Sequence, residues 1–283
     1  HLFTKSGHKA WGGKGSGPAE LQDPFMVAVW GNNVVVYDFE LAKLVSYRHD
    51  GTFAGTRQVG AVNGFSVSET DTVVGNVDIM AETRRVLRLR GPHVDTLYEY
   101  RLPARIRLSA AGSPSYTVVT PYAPVPQWTI LADGRLAIWD ATRPHLEVRG
   151  LSDDPPMTFP LGAERYDVAP SDRELWLNEA IPSEFMGQRV FEPLRKEARR
   201  SVAFPEVFPP VLAIKHDPLG GAWVQRTTSA SGEVWTLVGE KGVISSFHLP
   251  VGRKLLAVGR TELAVLARDA DDLESVEMYR KPS

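Results

Sequence analysis

The feature that most constrains this chain is a phrase that repeats along it. A tight turn is followed by an apolar strand, a short connection, a second apolar strand and another turn, with the two turns about 20 residues apart. The clearest copy runs Gly31-Asn32-Asn33, then Val34-Val35-Val36-Tyr37-Asp38, then Leu44-Val45-Ser46-Tyr47, then His49-Asp50-Gly51. Asn and Gly supply the positive-φ positions that tight hairpins need. The β-branched run is apolar on both faces, so it reads as a buried strand. Ala132-Asp133-Gly134 opens a second copy, with strands Leu136 to Trp139 and Leu146 to Val148, ending at Ser152-Asp153. Leu219-Gly220-Gly221 opens a third, with strands Ala222 to Gln225 and Val234 to Val238, ending at Glu240-Lys241-Gly242. Weaker copies begin at Thr70-Asp71, closing at Gly91-Pro92, and at Gly259-Arg260, closing near Lys281.

Where nothing intervenes, neighbouring copies start about 40 residues apart, the period of a four-stranded propeller blade. The expected fold is therefore all-β: a β-propeller forming one domain over residues 1–283, with five visible blades and six in all. The last copy offers three strands, Lys254 to Val258, Glu262 to Arg268 and Glu274 to Tyr279. An open edge is an aggregation risk, so a fourth strand is expected from elsewhere. Leu2-Phe3 or Lys9-Ala10-Trp11 could supply it. Alternatively, His1 to Gly12 aligns with the second half of the first blade, which would place a half-blade upstream.

Two gaps break the period. Leu102 to Gln127, rich in Pro, Ser and Tyr, reads as an extended or looped excursion. The other is a helical insertion at about 170–200, placed by capping and periodicity. Ser171-Asp172-Arg173-Glu174 reads as a capping box, Pro182 stops the first helix, and Ser183 to Arg199 carries Phe185, Val190, Leu194 and Ala198 near helical spacing.

Composition bounds the function more than it names it. The net charge is -2, which calls for no nucleic-acid partner. Apolar residues make up 43% and charged residues 23%, ample for a core. The chain contains no cysteine, which removes disulfides, thiolate metal sites and cysteine nucleophiles. No apolar stretch reaches the roughly 20 residues of a membrane span.

The first copy resembles the NHL-type propeller repeat: Asp38, Lys43, Leu44, Tyr47 and Gly51 fall in its register, while Leu41 stands where the repeat has Asn. In the second copy Asp140, His145, Leu146 and Asp153 align, with Arg143 at the Asn position. The run Gly13-Lys14-Gly15-Ser16-Gly17-Pro18-Ala19-Glu20-Leu21 is similar to the glycine-rich blade junction of bacterial six-bladed NHL-like propellers. The insertion followed by Phe204-Pro205 and Pro209-Pro210 is similar to that group as well. The resemblance implies a six-bladed ring and an extracytoplasmic, periplasmic or secreted setting. It implies no single activity, because such propellers include binding modules, lactonases, lyases and docking platforms.

Chemistry-bearing residues are sparse in pattern. Gly12 to Gly17 matches neither phosphate-loop nor dinucleotide motif and reads as a blade connection. None of the seven histidines has a metal-binding spacing, and no metal or cofactor is expected. His49-Asp50 and His216-Asp217 read as turns, the alternative being a shared acid–base or metal role. No nucleophile elbow is present, so no catalytic residue is assigned. Asp38 and Asp140 end apolar strands at equivalent positions, and Arg226 occupies a similar one. These three are the candidates for an axial ligand site, against a local role within each blade. Arg84, Arg85, Arg88 and Arg90 read as the solvated face of an outer strand. Trp139 and Trp223 read as core. Trp11, Trp176, Phe185, Arg195, Lys196, Arg199 and Arg200 are the candidates for a partner interface, because tryptophan and arginine dominate hot spots.

Three functions remain open. The favoured one is a non-enzymatic docking or scaffolding subunit that binds protein, on the outer face of a bacterial membrane complex and without a transmembrane segment of its own. The second is a metal-dependent hydrolase or lyase at the axial mouth, using Asp38, Asp140 and His49 or His216. The third is small-ligand or glycan binding there without chemistry.

Overall fold

A computed structural model describes residues 2–4, 7–9, 11–30, 32–67, 72–77, 83–111, 115–150, 155–181, 192–268 and 273–282. The chain divides into two compact units, residues 1–102 and 103–283.

In the first unit, β1 (Leu2–Thr4) and β2 (Gly7–Lys9) pair with one another as a two-stranded sheet. The first blade follows as an antiparallel meander of β3 (Pro24–Trp30), β4 (Asn33–Asp38), β5 (Lys43–Arg48) and β6 (Phe53–Gln58). The second is β7 (Val62–Val67), β8 (Thr72–Val77), β9 (Thr83–Arg90) and β10 (His93–Arg101). Period-two alternation sends Val35, Tyr37 and Leu44 into a core shared with Val62, Val67, Val74 and Leu89 of the next blade. The first strands of the two blades, β3 and β7, lie side by side.

The second unit begins with a hairpin of β11 (Arg105–Leu108) and β12 (Tyr116–Val119). A four-stranded blade follows: β13 (Gln127–Ile130), β14 (Leu136–Trp139), β15 (His145–Arg149) and β16 (Met157–Pro160). Next come helices α1 (Pro170–Ala180) and α2 (Glu192–Ser201). The next blade is β17 (Ala213–His216), β18 (Ala222–Gln225), β19 (Val234–Gly239) and β20 (Gly242–His248). The last sheet has three strands, β21 (Arg253–Val258), β22 (Glu262–Arg268) and β23 (Glu274–Arg280). The first strands again run in file, β13 beside β17 and β17 beside β21. Trp139 and Trp223 are buried at 1% and 0% exposure, in the cores of successive blades.

The fold is thus an all-β propeller fold with five blades and two helices among the described residues. Four expectations need correction. Each strong copy begins one strand too late, because β3, β13 and β17 precede the opening turn. The looped excursion contains the β11–β12 hairpin. The helix register is also shifted: Ala169, not Ser171, is the N-cap, and Asp172 at the third helical position accepts from its amide at 2.9 Å. Finally, β9 lies between β8 and β10 rather than at an edge, and Arg88 on it is only 7% exposed. Thr70-Asp71 and Ser152-Asp153, read as turns, lie outside the described residues.

Candidate functional site

The residue at the end of the second strand of a blade, its last residue in one case and the next residue in two, is a clamp in each of three blades. Asp38, in the first unit, is fully buried. Its carboxylate accepts from the amides of Gln22 at 2.5 Å, Asp23 at 3.3 Å and Leu41 at 2.9 Å, so it ties the segment entering β3 to the β4–β5 turn. Asp140, in the second unit, bonds the turn that follows it. One oxygen accepts from the Thr142 amide and hydroxyl and the Arg143 amide, and the other faces the Arg143 guanidinium at 3.0 Å. Burial pushes its pKa up, but those amides, the hydroxyl and the guanidinium hold it below the usual carboxylate range. Arg226, 2% exposed, does with donors what Asp38 does with acceptors. It donates to the carbonyls of Leu161 and Glu164, each at 2.8 Å, and lies over the ring of Tyr166. All three are engaged with backbone of their own unit. Of the Arg226 guanidinium, Nε is buried without a partner.

The glycine-rich run closes on a carboxylate that the chain itself supplies. Glu20 accepts from the Gly17 amide at 2.8 Å, and a Cβ at Gly17 would stand 2.9 Å from the same oxygen. Lys43 donates to the Gly17 carbonyl at 2.7 Å and Tyr47 to the Ala19 carbonyl at 2.6 Å, so β5 pins the loop. Beside it lies a shallow hollow of about 400 Å³, lined by Lys14, Gly15, Gln22, Asp23 and Glu40. Trp11 stacks obliquely towards Tyr47, 6.4 Å away, and its indole nitrogen is buried without a partner.

The helical insertion is built as a cover. Leu177, Ile181, Leu194, Ala198 and Val202 pack on Leu108 and Val118 of the β11–β12 hairpin. Trp176 is half-buried, edge-on to Phe204 at 5.4 Å. Of the basic residues, Arg195 donates to the Ile181 carbonyl and to Asn178, and Arg199 makes two bonds to Glu174, so both join α2 to α1. Arg199 holds Glu174 below the usual carboxylate range and is itself raised by it. Arg200 pairs with Glu197 one turn back on α2, and Lys196 is exposed. Trp176 and these four cations therefore share one element pair, while Trp11 belongs to the first unit. Phe185 lies outside the described residues.

Two buried polar knots in the second unit go beyond what the sequence suggested, which offered Asp172 only within a capping box and Asp217 only as a turn residue beside His216. Asp172, fully buried, accepts the Thr228 hydroxyl, and its own carbonyl accepts the Tyr122 hydroxyl at 2.5 Å. Burial and the nearby Asp172 push the Tyr122 pKa well above its ordinary value. For this knot the only sequence signal was the misplaced capping box; the φ of 47° at Tyr122 is a strain that sequence does not display. The second knot is Asp217, which accepts from Lys281 at 3.0 and 3.1 Å, from the Trp223 indole at 2.7 Å and from the Leu219 amide at 2.7 Å. Asp50, by contrast, makes the simple turn bond to Thr52 at 2.8 Å. Among the described residues no three His, Asp or Glu side chains lie close enough to hold a metal ion.

No family model matches this sequence, and no curated protein is significantly similar to it. Among solved structures, a streptogramin B lyase has a TM-score of 0.40 at 11% identity, covering 92% of this chain and 83% of that one. Hsv2 of Kluyveromyces lactis has 0.37 at 10% identity, covering 93% and 87%. The PQQ-bound aldose sugar dehydrogenase of Streptomyces coelicolor has 0.37 at 10% identity, covering 92% and 95%.

Proposed function

We propose that this chain is a six-bladed, NHL-like propeller that works without catalysis. On this reading it docks a protein partner through its helical insertion, as an extracytoplasmic accessory subunit on the outer face of a bacterial membrane assembly. One observation carries the reading: α1 and α2 spend their apolar faces on the β11–β12 hairpin and leave a charged outer face, with Lys196, Arg199 and Arg200 exposed on α2. The ion pairs there are solvent-exposed and worth little internally, so exchanging them for a partner's carboxylates costs little. The strand-end residues Asp38, Asp140 and Arg226 support it from the other side, since each is occupied in holding loops. Among the described residues no helix is long and apolar enough to cross a membrane; on this reading attachment is by contact.

The test is chemical cross-linking in the native envelope, wild type against a Lys196→Glu/Arg200→Glu variant. The expected result is one reproducible heterologous partner, lost in the variant while its melting temperature is unchanged. A partner retained by the variant, or cross-links confined to other elements, sinks the reading.

A further inference from the structure

Four of the five blades have a fourth strand outside their third, but the β21–β22–β23 sheet stops at β23, and among the described residues no strand pairs with its far edge. An unpaired edge is a template for another strand. Strand β23 is also self-complementary. In an antiparallel pairing of two copies about a two-fold axis through Glu277, Glu274 faces Arg280, Ser275 faces Tyr279 and Val276 faces Met278, each pair occurring twice. Val276 and Met278 are 60% and 59% exposed, so the pairing removes two apolar contacts per copy from water. Glu274 would then lie between Arg268 of its own sheet, 2.6 Å away, and Arg280 of the second copy.

The one like-charge meeting, Glu277 with itself, is already neutralised. Arg253 donates two bonds of 3.1 Å to each Glu277 carboxylate, and the Tyr279 hydroxyl adds a third at 2.8 Å. A slip of two residues either way sets Met278 against Glu274 or Val276 against Arg280. A slip of one residue is forbidden, because opposed residues must share a face. We propose that β23 pairs with β23 of a second copy in this register, joining two three-stranded sheets into one of six strands.

The absence of cysteine makes a direct test clean. On this proposal Glu277→Cys places two thiols opposite one another and gives a disulfide-linked dimer under mild oxidation, whereas Ser275→Cys, opposed by Tyr279, does not. Wild type is expected to show twice the chain mass by light scattering, and Val276→Lys/Met278→Lys, at two exposed positions, to revert to the single mass without losing its melting transition. A single mass for wild type throughout a dilution series overturns the proposal, including the case where β23 amides are protected in a monomer because another segment of this chain covers the edge. A dimer that survives the lysine pair, or equal cross-linking of the two cysteine variants, also overturns it. The surface is distinct from α2, so the outcome is independent of the cross-linking experiment on Lys196 and Arg200.

Discussion

At the scale of single residues, position in the repeat and chemical role come apart. Asp38 and Arg226 stand at equivalent places with opposite charge, yet both hold backbone. One takes amides and the other gives to carbonyls. The position was legible from the repeat, but the partners were not, because they are backbone groups whose direction depends on the loop. Asp172 is the extreme case, visible as part of a capping box and misread in register. Its carboxylate serves the Ala169 amide and the Thr228 hydroxyl from a fully buried site at the positive end of α1. Bonds to a charged group are worth about 1.5–3 kcal/mol, so Asp172→Ala is expected to lose about 2–3 kcal/mol of unfolding free energy. Thr228→Val, which leaves Asp172 its helix amide, is expected to lose about 1 kcal/mol. Urea denaturation of both variants checks the order, and equal losses would remove Asp172 from its central place.

At the scale of elements, the strands with strong turns on both sides could be read and the β11–β12 hairpin could not. Arg105-Ile106-Arg107-Leu108 does alternate polar and apolar, but four residues amid Pro and Ser carry little signal. More importantly, what covers its apolar side lies far along the chain, in Leu177, Ile181 and Leu194. Periodicity tells which face is apolar and is silent on its partner. The helices and the hairpin should consequently behave as one cooperative unit. Leu194 is fully buried, and truncating such a side chain costs about 2–5 kcal/mol. Leu194→Ala should therefore speed amide exchange in β11 and β12 as well as in α1 and α2. Faster exchange limited to α2 would mean that the hairpin stands without its cover.

At the scale of the whole molecule, stability should depend on pH through buried groups whose effects have opposite sign. Burial lowers the His216 pKa from 6.5; Asp217 opposes that shift and Lys215 reinforces it. A histidine depressed in the folded state contributes stability above its unfolded pKa and loses it as pH falls through the folded value. Glu233 runs the other way. Burial raises its pKa from 4.5, against the Leu255 amide, the Trp235 indole, Lys254 and Lys215. Its contribution is full below the unfolded value and declines as pH rises through the folded one. The histidine therefore governs the approach from neutrality, and the glutamate partly offsets it at lower pH. Thermal melts between about pH 8 and about pH 5 should show wild type losing stability below pH 6.5, the unfolded value of His216. In His216→Gln, neutral at every pH, the curve should be flatter through that interval. Parallel curves for the two proteins would show that His216 is solvated in the folded state and does not set the loss of stability below pH 6.5.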